Sequence, residues 1–203
     1  MITIIDYGAG NILSIKNMIK RIGGSCLITS DPIEIEKSKK LILPGVGNFD
    51  FGMNNLLKNN LVESLNNAVL QYKTPILGIC LGAQLMCASS EEGIKDGLNW
   101  FNARVIKFEK EQLQSNQKIP HMGWNFLTLQ KNSKLFEGFT DKRFYFVHSY
   151  HFLTHEASIN LTKTIYGYEF VSAMERDNIF AVQFHPEKSH KYGMKLMENF
   201  INL

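Results

Sequence analysis

The chain has 203 residues, 44% of them hydrophobic and 20% charged, with a formal net charge of +3 at pH 7. These values fit one globular domain with a substantial core. No Lys/Arg stripe interleaved with aromatics marks a nucleic-acid surface, and no apolar run is long enough to span a bilayer.

The opening "MITIIDYGAG" lacks a basic leader and reads as a first strand, not a signal peptide, so the expected compartment is the cytoplasm. Residues 2–6 form a β-rich apolar run ending at Tyr7-Gly8-Ala9-Gly10. Ile12, Ile15, Ile19 and Ile22 then fall on one face of a helix that Gly23-Gly24 stops. Residues 25–29 predict a second strand, and Ser30-Asp31-Pro32 turns the chain into a short helical stretch. Lys37, Lys39 and Lys40 read as a solvated lead-in to a third strand, "KLILPG" at 40–45. Helical patterning covers roughly 50–72, and Pro75 opens a fourth strand, "PILGI".

Strand–helix alternation with continuous apolar strands predicts a parallel sheet covered on both faces. The second half is richer in β-structure, with strands expected at 102–108, 123–129, 143–150, 162–168, 170–176 and 179–184. A last helix near 190–202 carries Met194, Met197, Phe200 and Ile201 as a core stripe. The expected architecture is α/β, an open mixed, mostly parallel, flavodoxin-like sheet flanked by helices, in a single domain over 1–203. The sequon Asn160-Leu161-Thr162 carries no weight without secretion.

Three cysteines without a C-x-x-C pair suggest neither a disulfide framework nor a zinc site. Cys87 reads as core, but Cys80 stands between Gly78 and Gly82 where an apolar strand turns into a helix. This is a nucleophile elbow, G-x-C-x-G in place of G-x-S-x-G, at the carboxyl end of the sheet where open α/β folds bind ligands. The following helix would favour thiolate, and the Leu81 N–H would face a developing oxyanion.

A cysteine nucleophile needs a base, and the base needs an orienting group. "VQFHPEKS" at 182–189 offers His185 at a strand end, with Glu187 two residues on and on the same side. Among His121, His148, His151, His155 and His190, the spacing H-x-x-H at 148–151 would point the two rings to opposite strand faces, so no metal site is expected. Asp6, Glu91 and Glu92 suit solvated or capping roles. In "LPGVGNF" (43–49), Gly45 and Gly47 allow backbone N–H groups to approach a tetrahedral oxyanion. "GAGN" (8–11) falls short of G-x-G-x-x-G, so no dinucleotide site is expected.

GICLGAQ together with HPE resembles the class I (triad) glutamine amidotransferases. Adding DYGAGN (6–11), PGVGNF (44–49), PHMGWN (120–125), YFVHSY (145–150) and QFHPEKS (183–189), the sequence is similar to the glutaminase subunits of imidazole glycerol phosphate synthases from residue 2 to the last. The resemblance implies that Cys80 attacks the glutamine carboxamide, His185 shuttles the proton and Glu187 orients His185. It implies that Gly45, Gly47, Leu81, Gln84, His148, Ser149 and Tyr150 hold glutamine or its oxyanion. Asn11, Trp124, Tyr145 and Lys188 would meet a (β/α)8-barrel cyclase partner, to which ammonia is channelled. There it would convert the phosphoribulosyl formimino precursor (PRFAR) to imidazole glycerol phosphate and an aminoimidazole carboxamide ribotide (AICAR) in histidine biosynthesis. No cofactor or metal is implied.

Ala83 stands where methionine is commoner in such proteins, a packing change near the elbow. "KDGLNWFNARVIKF" and the doublet Tyr150-His151 also resemble paralogues that supply ammonia to a sugar-amidating synthetase in surface-polysaccharide biosynthesis. The complete Cys80, His185 and Glu187 set argues against a non-catalytic interaction subunit. PHMGWN and YFVHSY argue against a thiol peptidase or γ-glutamyl hydrolase.

Overall fold

The computed structural model describes residues 1–203. Strands and helices alternate through the first part of the chain in the order β1 (Ile2–Ile5), α1 (Ile12–Arg21), β2 (Cys26–Thr29), α2 (Pro32–Glu36), β3 (Leu41–Leu43), α3 (Phe49–Lys58), α4 (Leu61–Asn66), β4 (Ile76–Ile79) and α5 (Leu81–Gln84). Local chemistry sets the helix starts. The Asp31 carboxylate accepts from the Ile33 N–H with Pro32 in the first turn, and Asn48 accepts from the Phe51 N–H ahead of α3. The helical patterning expected over 50–72 is divided: Asn60, left-handed at φ 56°, separates α3 from α4, and a π-turn at Asn67–Gln71 ends the segment.

The later elements are β5 (Cys87–Ser90), β6 (Phe101–Lys107), β7 (His121–Phe126), β8 (Thr128–Leu129), β9 (Arg143–His148), β10 (Tyr150–Leu153), β11 (Asn160–Tyr166), β12 (Tyr168–Arg176), β13 (Ile179–Val182) and α6 (His190–Asn202). The main sheet runs β2-β1-β3-β4-β13-β12-β10-β6-β5. Its first half, β2 to β13, is wholly parallel, and the pairs from β13 through β12 and β10 to β6 are antiparallel. Two expected strands are each divided. The 143–150 run breaks at Ser149, so β9 joins β7 in a separate ribbon while β10 enters the main sheet. The 123–129 run likewise splits between β7 in the ribbon and β8 beside β11.

Both faces of β1, β3, β4 and β13 are buried, which explains their unbroken apolar runs, while the edge strand β2 is half-buried. In β3, Ile42 joins a core with Ile15, Ile19 and Phe200 of α1 and α6, whereas Leu41 and Leu43 join one with Phe49, Leu56 and Leu65 of α3 and α4. One pairing then determines the site. β13 lies parallel to β4 with Val182 opposite Ile79, and the Cys80 N–H donates to the Val182 carbonyl at 2.8 Å. Residues 80 and 183–187 therefore leave the sheet side by side, although a hundred positions separate them.

Candidate active site

Cys80 is the residue on which the strand-to-helix turn is made. Its φ of 53° and ψ of −112° are a conformation that non-glycine residues rarely adopt. The flanking glycines do a different job from the one their spacing suggests, which is room for the turn itself. A Cβ on Gly82 would stand 1.9 Å from the Leu43 carbonyl oxygen, and one on Gly78 would meet the Met86 tip at 2.6 Å and the Ala83 Cα at 2.7 Å. They permit close approach of β3 and of the turn following Cys80. The helix behind the sulfur is also shorter than the elbow pattern implies: α5 spans four residues before the chain enters β5, so its dipole is small. Its first N–H groups, beginning with Leu81, nevertheless have no partner inside the helix.

His185 and Glu187 meet as their spacing predicts. His185 Nδ1 lies 2.7 Å from Glu187 Oε1, and both side chains are almost fully buried. The His185 carbonyl accepts from the Ser189 hydroxyl at 2.6 Å, which closes the Pro186–Lys188 turn and holds Glu187 under the ring. Nε2 has no partner within the protein. Burial alone would lower the His185 pKa, but the Cys80 sulfur and the Glu187 carboxylate outweigh it and push it up to about 10.

A cleft of about 480 Å³ opens over this pair and is lined by Val46, Gly47, Cys80, Leu81, Gln84, Glu92, Ser149, Tyr150, His185 and Lys188, among others. Its far wall is the 43–48 loop. The Tyr7 hydroxyl donates to the Pro44 carbonyl at 2.6 Å, and Gly45 packs so tightly on the elbow that a Cβ would stand 2.5 Å from the Gly82 nitrogen. Gly47, at φ 112° with open space around it, forms the loop's outer turn. Glu92 accepts from the Phe49 N–H at 2.8 Å, the capping role expected of it, and Glu91 and Asp6 accept from the Lys107 and Gly8 N–H groups.

Among the expected binding residues, His148 also lines the cleft. Its ring is buried, with Nδ1 2.7 Å from the Tyr150 carbonyl and Nε2 2.9 Å from His121 Nδ1, so both nitrogens are engaged inside the protein. His148 therefore shapes the 148–150 segment. The expectation that His148 and His151 face apart fails because the strand breaks at Ser149: both rings rest on Phe108, at 5.1 and 4.7 Å. His151 Nε2 pairs with the Tyr168 hydroxyl. Cys87 is fully buried and burial pushes its thiol up, as befits core.

Beside the cleft, Trp124, Tyr145 and Lys188 cluster as expected, with the Lys188 ammonium 5.9 Å over the Tyr145 ring and the two aromatic rings 6.3 Å apart. Asn11 is exposed at the start of α1. Sequence reasoning missed Met122 and Phe126, which stand exposed with Trp124 on one face of β7, and Arg143, whose guanidinium covers Trp124 and Phe126. The signal was present in HMGWNF: the apolar side chains alternate outward while His121 and Asn125 turn toward the protein. It also missed Gln183, fully buried beside Cys80.

The class-I glutamine amidotransferase profile matches residues 3–203. The chain belongs to the class-I glutamine amidotransferases. As a member of that family it is a glutaminase enzyme. It is 55% identical over 202 residues to imidazole glycerol phosphate synthase subunit HisH 2 of Methanococcus maripaludis, covering 99% of this chain and 98% of the relative. It is 45% identical to a subunit of the same name from Pseudomonas aeruginosa, with both chains covered in full. A crystal structure of a glutamine amidotransferase superposes with a TM-score of 0.75 at 17% identity, covering 98% of this amidotransferase and 97% of that chain. PurLQS of Thermotoga maritima gives 0.73 at 15%, covering 99% and 97%; these two likenesses bear on the fold alone. No helix of this amidotransferase is long and apolar enough to cross a membrane.

Proposed function

We infer that this chain is the glutaminase subunit of an imidazole glycerol phosphate synthase, hydrolysing glutamine to glutamate and ammonia for a cyclase partner in the cytoplasm. The observation that carries the chemistry is Cys80 at a strained elbow beside a buried His185–Glu187 pair 2.7 Å apart. The naming of full-length relatives at 55% and 45% identity supports the pathway.

In this mechanism the Cys80 thiolate attacks the carboxamide carbon of glutamine, forming a C–S bond and a tetrahedral oxyanion. The Leu81 N–H and the 45–47 backbone border the cleft at Cys80 and would donate to that oxygen, and one such donor is typically worth about a hundred- to a thousand-fold in rate. The C–N bond then breaks as the leaving nitrogen takes the His185 Nε2 proton and departs as ammonia. Water attacks the thioester, His185 removes its proton, and glutamate leaves with the thiolate–imidazolium pair restored. Glu187 holds Nδ1–H throughout, so Nε2 is always the nitrogen facing the reaction.

Gln84, Ser149 and Tyr150 line the cleft beside Cys80 and would receive the amino-acid end of glutamine. The outer face of β7, Trp124 included, with Tyr145 and Lys188 beside it, docks the (β/α)8-barrel cyclase. There ammonia converts PRFAR to imidazole glycerol phosphate and AICAR. The naming of those relatives does not favour the sugar-amidating alternative, and His151 of the doublet Tyr150-His151 is engaged in an internal contact with Tyr168.

The test is glutamine hydrolysis by the chain alone and with a histidine-pathway cyclase and its nucleotide ligand. Activity should rise on adding the partner and fall by about four orders of magnitude or more in Cys80→Ala. Undiminished turnover in Cys80→Ala refutes the mechanism, and indifference to the cyclase refutes the pathway.

A further inference from the structure

Gln183 has no solvent exposure, does not line the cleft, and sits at the carboxyl end of β13 next to the elbow. Its Nε2 lies 3.7 Å from Cys80 Sγ in donor geometry. Its Oε1 accepts from Gln84 Nε2 at 3.0 Å, and the same Gln84 nitrogen lies 3.3 Å from the Tyr150 carbonyl. That carbonyl also accepts from His148 Nδ1 at 2.7 Å.

The direction of this chain is forced. A backbone carbonyl can only accept, so Gln84 must turn its NH2 group toward Tyr150. The same NH2 group then requires an oxygen from Gln183, because two amide nitrogens would face donor to donor. Gln183 is left with its own NH2 group toward the sulfur. A flip of either amide would leave two buried donors or two acceptors opposed, and unpaired buried polar groups cost about 1–3 kcal/mol each.

We propose that Gln183 is a positioning residue for the nucleophile: its amide N–H donates to Cys80 Sγ, aims the sulfur and favours its thiolate form. The proposal rests on Cys80 being the nucleophile. A hydrogen bond strengthens when its acceptor is ionised, so the donor stabilises thiolate over thiol. Gln183 holds the sulfur from the sheet side and leaves His185 and the cleft free for substrate.

The test reads the sulfur directly. Iodoacetamide alkylation of Cys80 is followed against pH in the intact chain, with the labelled peptide identified by mass spectrometry. Gln183→Met keeps length and buried volume and removes the donor; Gln183→Glu adds a like charge. Other groups act on the sulfur: Tyr7 at the end of β1, His185 with Glu187 behind it, and Glu92, His148, Tyr150 and Lys188 around the cleft. All are unchanged in both variants, so the difference from the native profile isolates the amide.

Gln183→Met is expected to move the alkylation midpoint up by about one pH unit, a tenfold loss of thiolate below the midpoint, and Gln183→Glu further. In the cyclase-bound enzyme kcat for glutamine should fall with KM nearly unchanged. A native midpoint in Gln183→Met overturns the proposal, even if the variant melts earlier, since a purely structural amide would change stability alone. Should Gln183→Met not fold, Gln84→Met removes the group that orients the amide and must shift the midpoint in the same direction; no shift there overturns the proposal. Loss of activity with the label on another residue overturns the nucleophile reading itself, whereas Cys80 labelling with an unmoved profile overturns only the role of Gln183.

Discussion

Cys80 takes a positive φ of 53°, and the strain is tolerated because the residues on either side are locked: Ile79 in β4 and Leu81 at the start of α5. The residue is left about 8% exposed, at the floor of the cleft. The His185 and Glu187 side chains are buried, and their contact settles the tautomer, since Nδ1 donates to the carboxylate and leaves the buried Nε2 unpaired. Glu187→Gln preserves size but presents an amide N–H to the same ring nitrogen, which stabilises the wrong tautomer. Glutamine kcat is expected to fall by roughly 10³–10⁴-fold, measured in the complex with the cyclase. A loss below about tenfold would show that the carboxylate does not orient the ring. Cys80, His185 and Glu187 were all legible in the sequence, because two short motifs contain them with their spacing. Gln183 was not, because an amide gains meaning only from the partners it faces.

Among the elements, the loop between β3 and α3 and the outer face of β7 matter most. The loop reaches the elbow because Gly82 has no side chain. In Gly82→Ala the added methyl would meet the Leu43 carbonyl at 1.9 Å, so β3 and the loop must move away. The expected result is destabilisation of about 1–3 kcal/mol, seen as a lower midpoint in urea, with a glutaminase loss exceeding what the unfolded fraction explains. On β7, Met122 and Phe126 are 60% and 59% exposed and flank Trp124, an apolar row that water-facing strands seldom carry. Phe126→Ala should raise the dissociation constant for the cyclase about tenfold or more by calorimetry; unchanged affinity would move the docking face elsewhere. Exposed apolar residues leave an inverted alternation, which was readable in HMGWNF only once the buried face of the strand was known.

Across the whole molecule, buried histidines set opposing pH limits. Burial lowers His121 to about 4, and lowers His148 and His151 as well. Groups with depressed folded values bind protons more readily when unfolded, so this contribution is present above about 6.5 and is lost as pH falls toward 4. His185, raised to about 10, does the reverse: its contribution is present below about 6.5 and lost as pH rises toward 10. Urea midpoints should therefore drop on acidification from about pH 6.5 toward 4, less steeply in His121→Gln, whose amide can still donate to His148. An equal slope in both proteins would remove His121 from that account. The sequence by itself determined the parallel α/β half, the elbow and the His–Pro–Glu pair, since apolar periodicity and short motifs are local properties. It misread the 143–150 and 123–129 runs each as one strand, because where a strand breaks answers to neighbours far along the chain. Only the tertiary structure decided that β13 lies beside β4, which brings residue 183 to residue 80. Sheet order is fixed by which buried faces fit together, and no stretch of the chain records that alone.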